Sequence, residues 1–584
     1  MCVHKTGEIL HAWFEANGSI PTQFRTDHTF PARLPTGYGQ TSDKSAGGMC
    51  GTNFLTAILD ILKAVKGSQT THPDPSMLSS SRSSRLEFNS SSTKDVLFAV
   101  SFLPGDRRNP IHFSYPKKWV ITTVTCFFTL LVSASATSFS LGASSMMNDL
   151  NCTQFQATLG LSLYCLGFGV LPLLTSSLSE DFGRLPLYYV SVAGFLLMHV
   201  MTALAKNIQT VLVARFLQGA FGSTGSTMVA GTVADIWNPA EIGLPMALYT
   251  LFAFMGNGVG AIVAGWVEEN QRLQWRWIQW IHLIIGGVYF LVMILTIDET
   301  RSSVILEKTA KKLRHASKDA RYYSVQSAAK LKLSQRIYIS CTRPISDLPH
   351  IWIGFAWGVY FCMIESIPGV FKTLHGFNEG QIGSVYTTMA LGSLLGFLTN
   401  RYQERLYRKY VSTRGAQARL HLSCVAGFLF PISMFMFAWS ATSKVPWIVL
   451  VVALSIYLWA VSTIYMTIFT YLADCYGMYA SSALAGQSLC RNLMATIFPL
   501  FAERMFRALG YRWANTIFAI AGTVMSPIPI ILFFYGPRIL ARSKMVGQLH
   551  RQSQIFIEKQ DVEQPSKGMV KDEIVSVSGR PESA

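Results

Sequence analysis

The chain has 584 residues, of which 50% are hydrophobic and only 14% charged, with a formal net charge of +17 and a mean hydropathy of +0.31. Soluble domains carry about a quarter charged residues, so this composition excludes an ordinary soluble enzyme and points to a lipid-embedded body. The basic surplus sits between apolar runs, which is the pattern of membrane orientation and not of a nucleic-acid partner.

Residues 1–116 contain no segment able to span a bilayer. The tract Ser76 to Ser92 is too Ser-rich to bury a core, so the region reads as a disordered cytosolic tail. Within it, Phe54 to Val65 suits a short amphipathic helix but is too short, and too polar at Asp60 and Lys63, to cross. No signal-peptide pattern precedes the first apolar run, so that run is expected to direct insertion itself.

From residue 118 onward, long apolar segments recur. The expected spans are 118–141, 156–178, 186–206, 209–234, 244–267, 277–297, 350–372, 381–400, 420–440, 446–472, 480–502 and 513–535. They fall as six, a pause, and six. The resulting expectation is an all-α integral membrane protein with twelve helices in two six-helix bundles, 117–298 and 349–536. A basic linker, 299–348, joins them, and a cytosolic tail, 537–584, follows. A cytosolic N-terminus places about 20 Lys and Arg near span ends on the inside and about 8 on the other side, so both termini are expected in the cytosol. Asn151-Cys152-Thr153 is a glycosylation sequon, but its outer loop is short and lies close to the bilayer.

The second span runs into Leu178-Ser179-Glu180-Asp181-Phe182-Gly183-Arg184. Here Gly183 permits a tight turn, while Glu180 and Arg184 can pair with neighbouring helix ends and hold one gating state. The loop after span eight, Arg401 to Lys409, keeps charge without this pattern. Span four opens with Arg215-Phe216-Leu217-Gln218-Gly219. An arginine at this depth needs a polar interior or a snorkelling route to the interface. The small residues after it allow close helix packing or leave room for a substrate.

In span five, Gly256, Gly260 and Gly265 are spaced to let helices touch, with Asn257 beside the first of them. Span seven carries Glu365, the one carboxylate placed well inside a span, and its burial is costly enough to make a proton-coupling role the default. The alternative is a structural ion pair with Arg491 of span eleven. His199 and His282 also lie in spans, toward the outer interface. Tyr164, Phe168, Gln218, Asn257, Tyr360, Trp459, Tyr465 and Arg491 are candidate cavity residues, although span aromatics also face lipid or simply pack.

The ten cysteines are scattered singly with no CxxC pair, so neither metal nor redox cofactor is expected. Clustered nucleophiles or His-x-x-x-His pairs are missing too, which argues against an enzyme. No Gly-x-x-x-x-Gly-Lys-Ser/Thr loop occurs to bind ATP, so any pumping must draw on an ion gradient. A proton falling through 100 mV releases roughly 2.3 kcal/mol, and two pH units add roughly 2.7 more. Together these sustain roughly three to four decades of gradient for an uncharged solute.

Two six-span halves joined by a basic linker resemble a major facilitator transporter, whose halves rock about a midplane site. Glu180, Gly183 and Arg184 match that family's Asp-x-x-Gly-Arg motif, although Leu185 replaces its usual second basic residue. Arg215 to Gly222 resembles its Arg-x-x-Gln-Gly-x-Gly motif and implies a coupling role for Arg215. The stretch Gly256 to Gly265 resembles its antiporter motif, with Asn257 and Ala261 where prolines are usual. Further stretches resemble the fungal-type twelve-span drug:proton antiporters, among them Lys117-Lys118-Trp119, Leu161 to Phe168, Asp298 to Leu306 and Phe498-Pro499-Leu500-Phe501. The resemblance covers about residues 109 to 545.

It implies a monomeric multi-pass transporter of the plasma or vacuolar membrane. Its expected activity is the exchange of protons for amphiphilic or cationic organic compounds such as drugs, polyamines or secondary metabolites. A proton-coupled importer, a uniporter and a non-transporting receptor remain the alternatives.

Overall fold

In the computed structural model, the residues described are 84–86, 97–102, 105–238, 241–319, 322–324, 348–476 and 480–542. Most of the expected N-terminal tail, the amphipathic stretch at Phe54 and the C-terminal tail beyond 542 lie outside them.

The helices are α1 (Tyr115–Leu141), α2 (Ala143–Leu150), α3 (Gln154–Val170), α4 (Pro172–Phe182), α5 (Arg184–Ala203), α6 (Ile208–Gly222), α7 (Thr224–Ile236), α8 (Gly243–Glu269) and α9 (Gln274–Thr296). A linker helix, α10 (Ser302–Ser317), precedes α11 (Leu348–His375), α12 (Glu379–Val385), α13 (Thr387–Arg414), α14 (His421–Ser440), α15 (Trp447–Tyr476), α16 (Ala480–Met525) and α17 (Ile528–Arg542). Each expected span has its counterpart. Nine helical stretches among the described residues are long and apolar enough to cross a membrane. Two of these, Glu379–Ser440 and Leu484–Ile539, each hold two spans, and the remaining span is α6 plus α7, broken at Ser223.

Local chemistry explains the breaks. Pro172 occupies the first turn of α4, where its missing N–H costs nothing. Gly510, at φ +73°, reverses the chain inside α16 and separates spans eleven and twelve. Spans two and eight both start from a reciprocal capping box, Thr153 with Gln156 and Asn378 with Gln381.

Side chains such as Val190, Ile284, Leu295 and Val524 are more than half exposed, as a lipid-facing surface requires. Buried apolar residues of both halves form one continuous core. The halves meet along two seams, α8 against α12 and α13, and α3 against α16. At the first, a Cβ on Gly258 would lie 2.8 Å from Tyr386 O and one on Gly265 would lie 2.6 Å from Glu379 O. At the second, a Cβ on Gly169 would lie 2.8 Å from Asn492 Cβ. A shift of six spans turns one seam into the other, as two-fold pseudo-symmetry requires.

One difference from expectation lies beside the linker. Within the stretch expected to be disordered, β1 (Ser84–Leu86) and β2 (Leu97–Val100) pair antiparallel, and β2 pairs parallel with β3 (Tyr322–Ser324) of the linker. A three-stranded sheet of strands this short is not stable without an apolar face to pack on. It is held because Val100 packs with Leu306 and Ala310 of α10, and Phe102, Leu313 and Tyr322 close over them. Pairing across more than two hundred residues leaves no local signal in sequence.

Candidate functional site

On the face that carries Gly183 and the linker, called here the basic face, the predicted turn sits in a charge cluster. Gly183 has φ +94°, and a Cβ there would collide with the Glu299 carboxylate. That carboxylate accepts the backbone N–H groups of Arg184 at 3.0 Å, Leu185 at 3.3 Å, Thr300 at 3.1 Å and Arg301 at 2.9 Å. One anion thereby caps the N-termini of both α5 and α10. The Arg184 side chain, almost wholly buried, gives Nε to Asp235 Oδ2 at 2.6 Å and Nη1 to Met228 O at 3.3 Å. Arg301 Nη1 takes the other Asp235 oxygen at 3.0 Å, and its Nη2 lies 3.9 Å from Glu180. Arg301 therefore supplies the second cation that Leu185 lacks. Asp235, Glu299 and Arg301 were not singled out as gate residues from sequence, because nothing local ties them to the turn.

The second half repeats this arrangement although its loop has lost the motif. Arg419, with its side chain 2% exposed, gives Nη1 to Glu404 at 2.7 Å and Nε to Asp474 at 2.9 Å. Arg184 and Arg419 stand at the starts of spans three and nine, and Asp235 and Asp474 at the ends of spans four and ten. A Cβ on Gly243, at the start of α8, would overlap the Glu404 carboxylate, so the halves also touch on the basic face.

Arg215 is fully buried in the first half. Its guanidinium lies between the rings of Phe139 and Tyr164, 4.3 Å from each centroid, and its Nη1 donates to Gln218 Oε1 at 2.7 Å and to Ser135 O at 3.2 Å. Its Nε and Nη2 have no partner. No carboxylate among the described residues pairs with it, and with no exposure it does not snorkel. The following small residues serve packing: Gly219 meets the Tyr164 backbone, Gly222 meets Val132 and Gly225 meets Phe128. His199 and His282 are also interior, with rings stacked at 5.2 Å, His199 bonded to Gln279 and His282 to Ser138.

The span-five glycines divide their work. Gly256 and Gly260 press on Leu130 O and Ala134 O of α1, and Gly265 presses on α12. Asn257 donates to Ala253 O of its own helix at 2.9 Å and leaves its Oδ1 unpaired.

Between the halves lies an aromatic layer. Phe254 of α8 sets its edge against Trp357, Tyr360 and Tyr465 at 5.5 to 5.7 Å, while Trp357 stacks on Tyr360 and on Tyr465. Tyr249 and Tyr465 bridge the halves through hydroxyls 3.0 Å apart. Arg491 lies over Trp357 and Tyr465, 4.6 and 5.0 Å from their centroids, and donates Nη2 to Ser226 of the other half at 3.3 Å. Of the candidate cavity residues, Tyr360, Tyr465 and Arg491 join this layer, and Tyr164 and Gln218 surround Arg215. Phe168 touches Tyr164. Trp459 instead turns to α13, donating Nε1 to Thr399 at 3.2 Å. Ser226, Tyr249, Phe254 and Trp357 were missed, since each matters only through contacts with another helix.

Glu365 is half-buried and forms no ion pair with Arg491. Its Oε1 accepts from Ser140 Oγ of α1 at 2.9 Å, a bond from one half to the other. Both residues line a cavity of about 490 Å³ near the face opposite the basic one, together with Pro499, Glu503, Phe506 and Tyr511. Among the described residues, no group of His, Cys, Asp and Glu is placed to hold a metal ion.

Comparison with known proteins gives consistent matches. A family model described as Major Facilitator Superfamily matches residues 123–499. A transporter of the ascochitine biosynthesis cluster of Didymella fabae is 31% identical over 76% of this chain and 89% of its own. One from the citrinin biosynthesis cluster of Monascus ruber is 30% identical over 76% and 91%. The Saccharomyces cerevisiae protein named "Probable drug/proton antiporter YHK8" is 29% identical over 74% and 86%. Among solved structures, the proton:xylose symporter XylE superposes with a TM-score of 0.54 at 14% identity, covering 72% of this chain and 96% of its own, a likeness of fold.

Proposed function

Because the chain belongs to the major facilitator superfamily, we propose that this transporter expels amphiphilic organic compounds in exchange for protons by alternating access, with the basic face in the cytosol of a cell bounded by its plasma membrane. The observation that carries the reading is Glu365: a carboxylate inside the spans, at a cavity, bonded across the junction of the two halves to Ser140. A proton arriving through the cavity neutralises Glu365, replaces an anionic acceptor with a neutral group, and weakens the junction there. That contact is then free to rearrange, and release of the proton to the other side requires the halves to part on the basic face, where the paired clusters at Arg184 and Arg419 must give way. Arg215 lies in the half that donates to Glu365, which supports a coupling role for it. Export is supported by relatives named as efflux pumps and by the glycine contacts of α8.

In vesicles reconstituted with the full chain, Glu365→Gln is expected to abolish efflux driven by a pH gradient while leaving exchange of substrate for substrate intact. Unchanged gradient-driven efflux would refute the role of Glu365. Counterflow measured with and without the gradient separates exchange from uniport and from import.

A further inference from the structure

From the aromatic layer we infer that the expelled compounds carry an acidic group, a carboxylate or sulfonate on a planar apolar body, and that Arg491 is its receptor. This rests on the transport reading above and narrows it to one substrate class.

Arg491 is 2% exposed, and no carboxylate among the described residues pairs with it. Among the described residues its hydrogen bond goes to the neutral Ser226 hydroxyl, and its Nε is unpaired. Beneath it, Trp357 is also buried with its indole Nε1 unpaired. Gln487, one turn earlier on the same face of α16, has both amide atoms unpaired. Buried donors without acceptors are rare and costly, and a guanidinium is the most costly of them. Ring faces at 4.6 and 5.0 Å offset part of that cost but offer no lone pairs to the N–H groups. Each of these donors lacks an acceptor, and the acceptor that best suits a guanidinium is an anion, a two-oxygen carboxylate or a sulfonate.

Position supports this. Arg491 and Trp357 belong to the second half, Ser226 and Phe254 to the first, so the layer splits when the halves part on the basic face. The stacked rings of Trp357, Tyr360 and Tyr465 then offer a flat apolar wall beside the cation. A cationic compound would meet Arg491 as a like charge. Arg215 is a second buried cation with no carboxylate partner among the described residues.

The charge balance of transport differs between substrate classes. Exchanging one proton inward for one monoanion outward moves two positive charges inward per cycle. A neutral substrate moves one charge and a monocation none. A membrane potential negative on the basic-face side therefore drives anion export most steeply.

The test uses the purified full chain and three probes of one shape: 1-naphthalenesulfonate, 1-naphthalenemethylammonium and 1-naphthamide. Binding is read from tryptophan fluorescence, and transport from vesicles at clamped potential. The sulfonate is expected to bind at least about tenfold tighter than the ammonium. Arg491→Gln is expected to weaken the sulfonate about 10- to 100-fold and the amide no more than about twofold. Trp357→Phe, which keeps a ring and removes the donor, is expected to weaken the sulfonate alone by several-fold, and it serves if Arg491→Gln fails to fold.

The inference is overturned if the sulfonate fails to bind, if ammonium or amide binds as tightly, or if neither variant weakens the sulfonate selectively. Gradient-driven transport of the ammonium or amide without the sulfonate would overturn it and leave the transport reading standing. Absence of gradient-driven transport for all three probes would instead remove the reading on which it rests.

Discussion

Asp235 shares its two oxygens between the guanidiniums of Arg184 and Arg301, and both arginines start helices whose N-termini are capped by Glu299. Removing one partner from a buried ion pair leaves the other uncompensated, which costs about 3–5 kcal/mol where burial is deep. Asp235→Asn keeps the shape and removes the charge, so transport is expected to fall at least about tenfold, with yield of folded protein in detergent as the control. Gly183→Ala acts differently. It forces a Cβ into a left-handed turn and against the Glu299 carboxylate, so the melting temperature should fall, and Glu299→Gln should not restore it. Rescue by the second change would show that carboxylate charge, and not space, sets the requirement. Sequence showed the turn because its three residues are neighbours. It did not show Asp235, since 51 positions separate that residue from Arg184.

At the scale of elements, α8 is the axle of the molecule. Gly256 and Gly260 bring it onto α1, while Gly258 and Gly265 bring it onto α13 and α12 of the other half. Gly260→Val would push the side chain into Ala134 O and separate α1 from α8, so the folded monodisperse fraction is expected to drop sharply. Gly287→Ala in α9, where a Cβ meets nothing within 4 Å, should behave as the parent protein in the same size-exclusion profile. The span-five glycine pattern was legible in sequence, but which helix each glycine faces was not, because a 3.6-residue period spreads them over two faces. The linker shows the same limit. Its basic composition gives no sign that Leu306 and Ala310, one turn apart, make a buried face of α10.

Across the whole molecule, equivalent charge clusters guard the basic face in both halves, and Glu404 joins them by pairing Arg419 while resting against the start of α8. An anion at a helix N-terminus is favourable, which gives the contact between halves an electrostatic as well as a steric basis. Glu404→Gln should loosen this closure. Hydrogen exchange is expected to rise in the first turns of α8 and around residues 403–420, with little change in the helix ends that line the cavity. Equal changes on both faces would show loss of fold and not a shift between conformers.

The division between sequence and tertiary structure follows from the range of the forces involved. Hydropathy fixes the twelve spans because lipid demands about 20 apolar residues in succession, a condition each segment meets on its own. The Gly183 turn and the rarity of Glu365 are equally local, so residue order alone identified them. Arg419 with Asp474, the Ser140 bond to Glu365, and the rings and unpaired donors around Arg491 depend on which helices touch. In a membrane every apolar face suits lipid as well as protein, so hydrophobicity cannot choose those partners, and only close packing and polar pairing decide them.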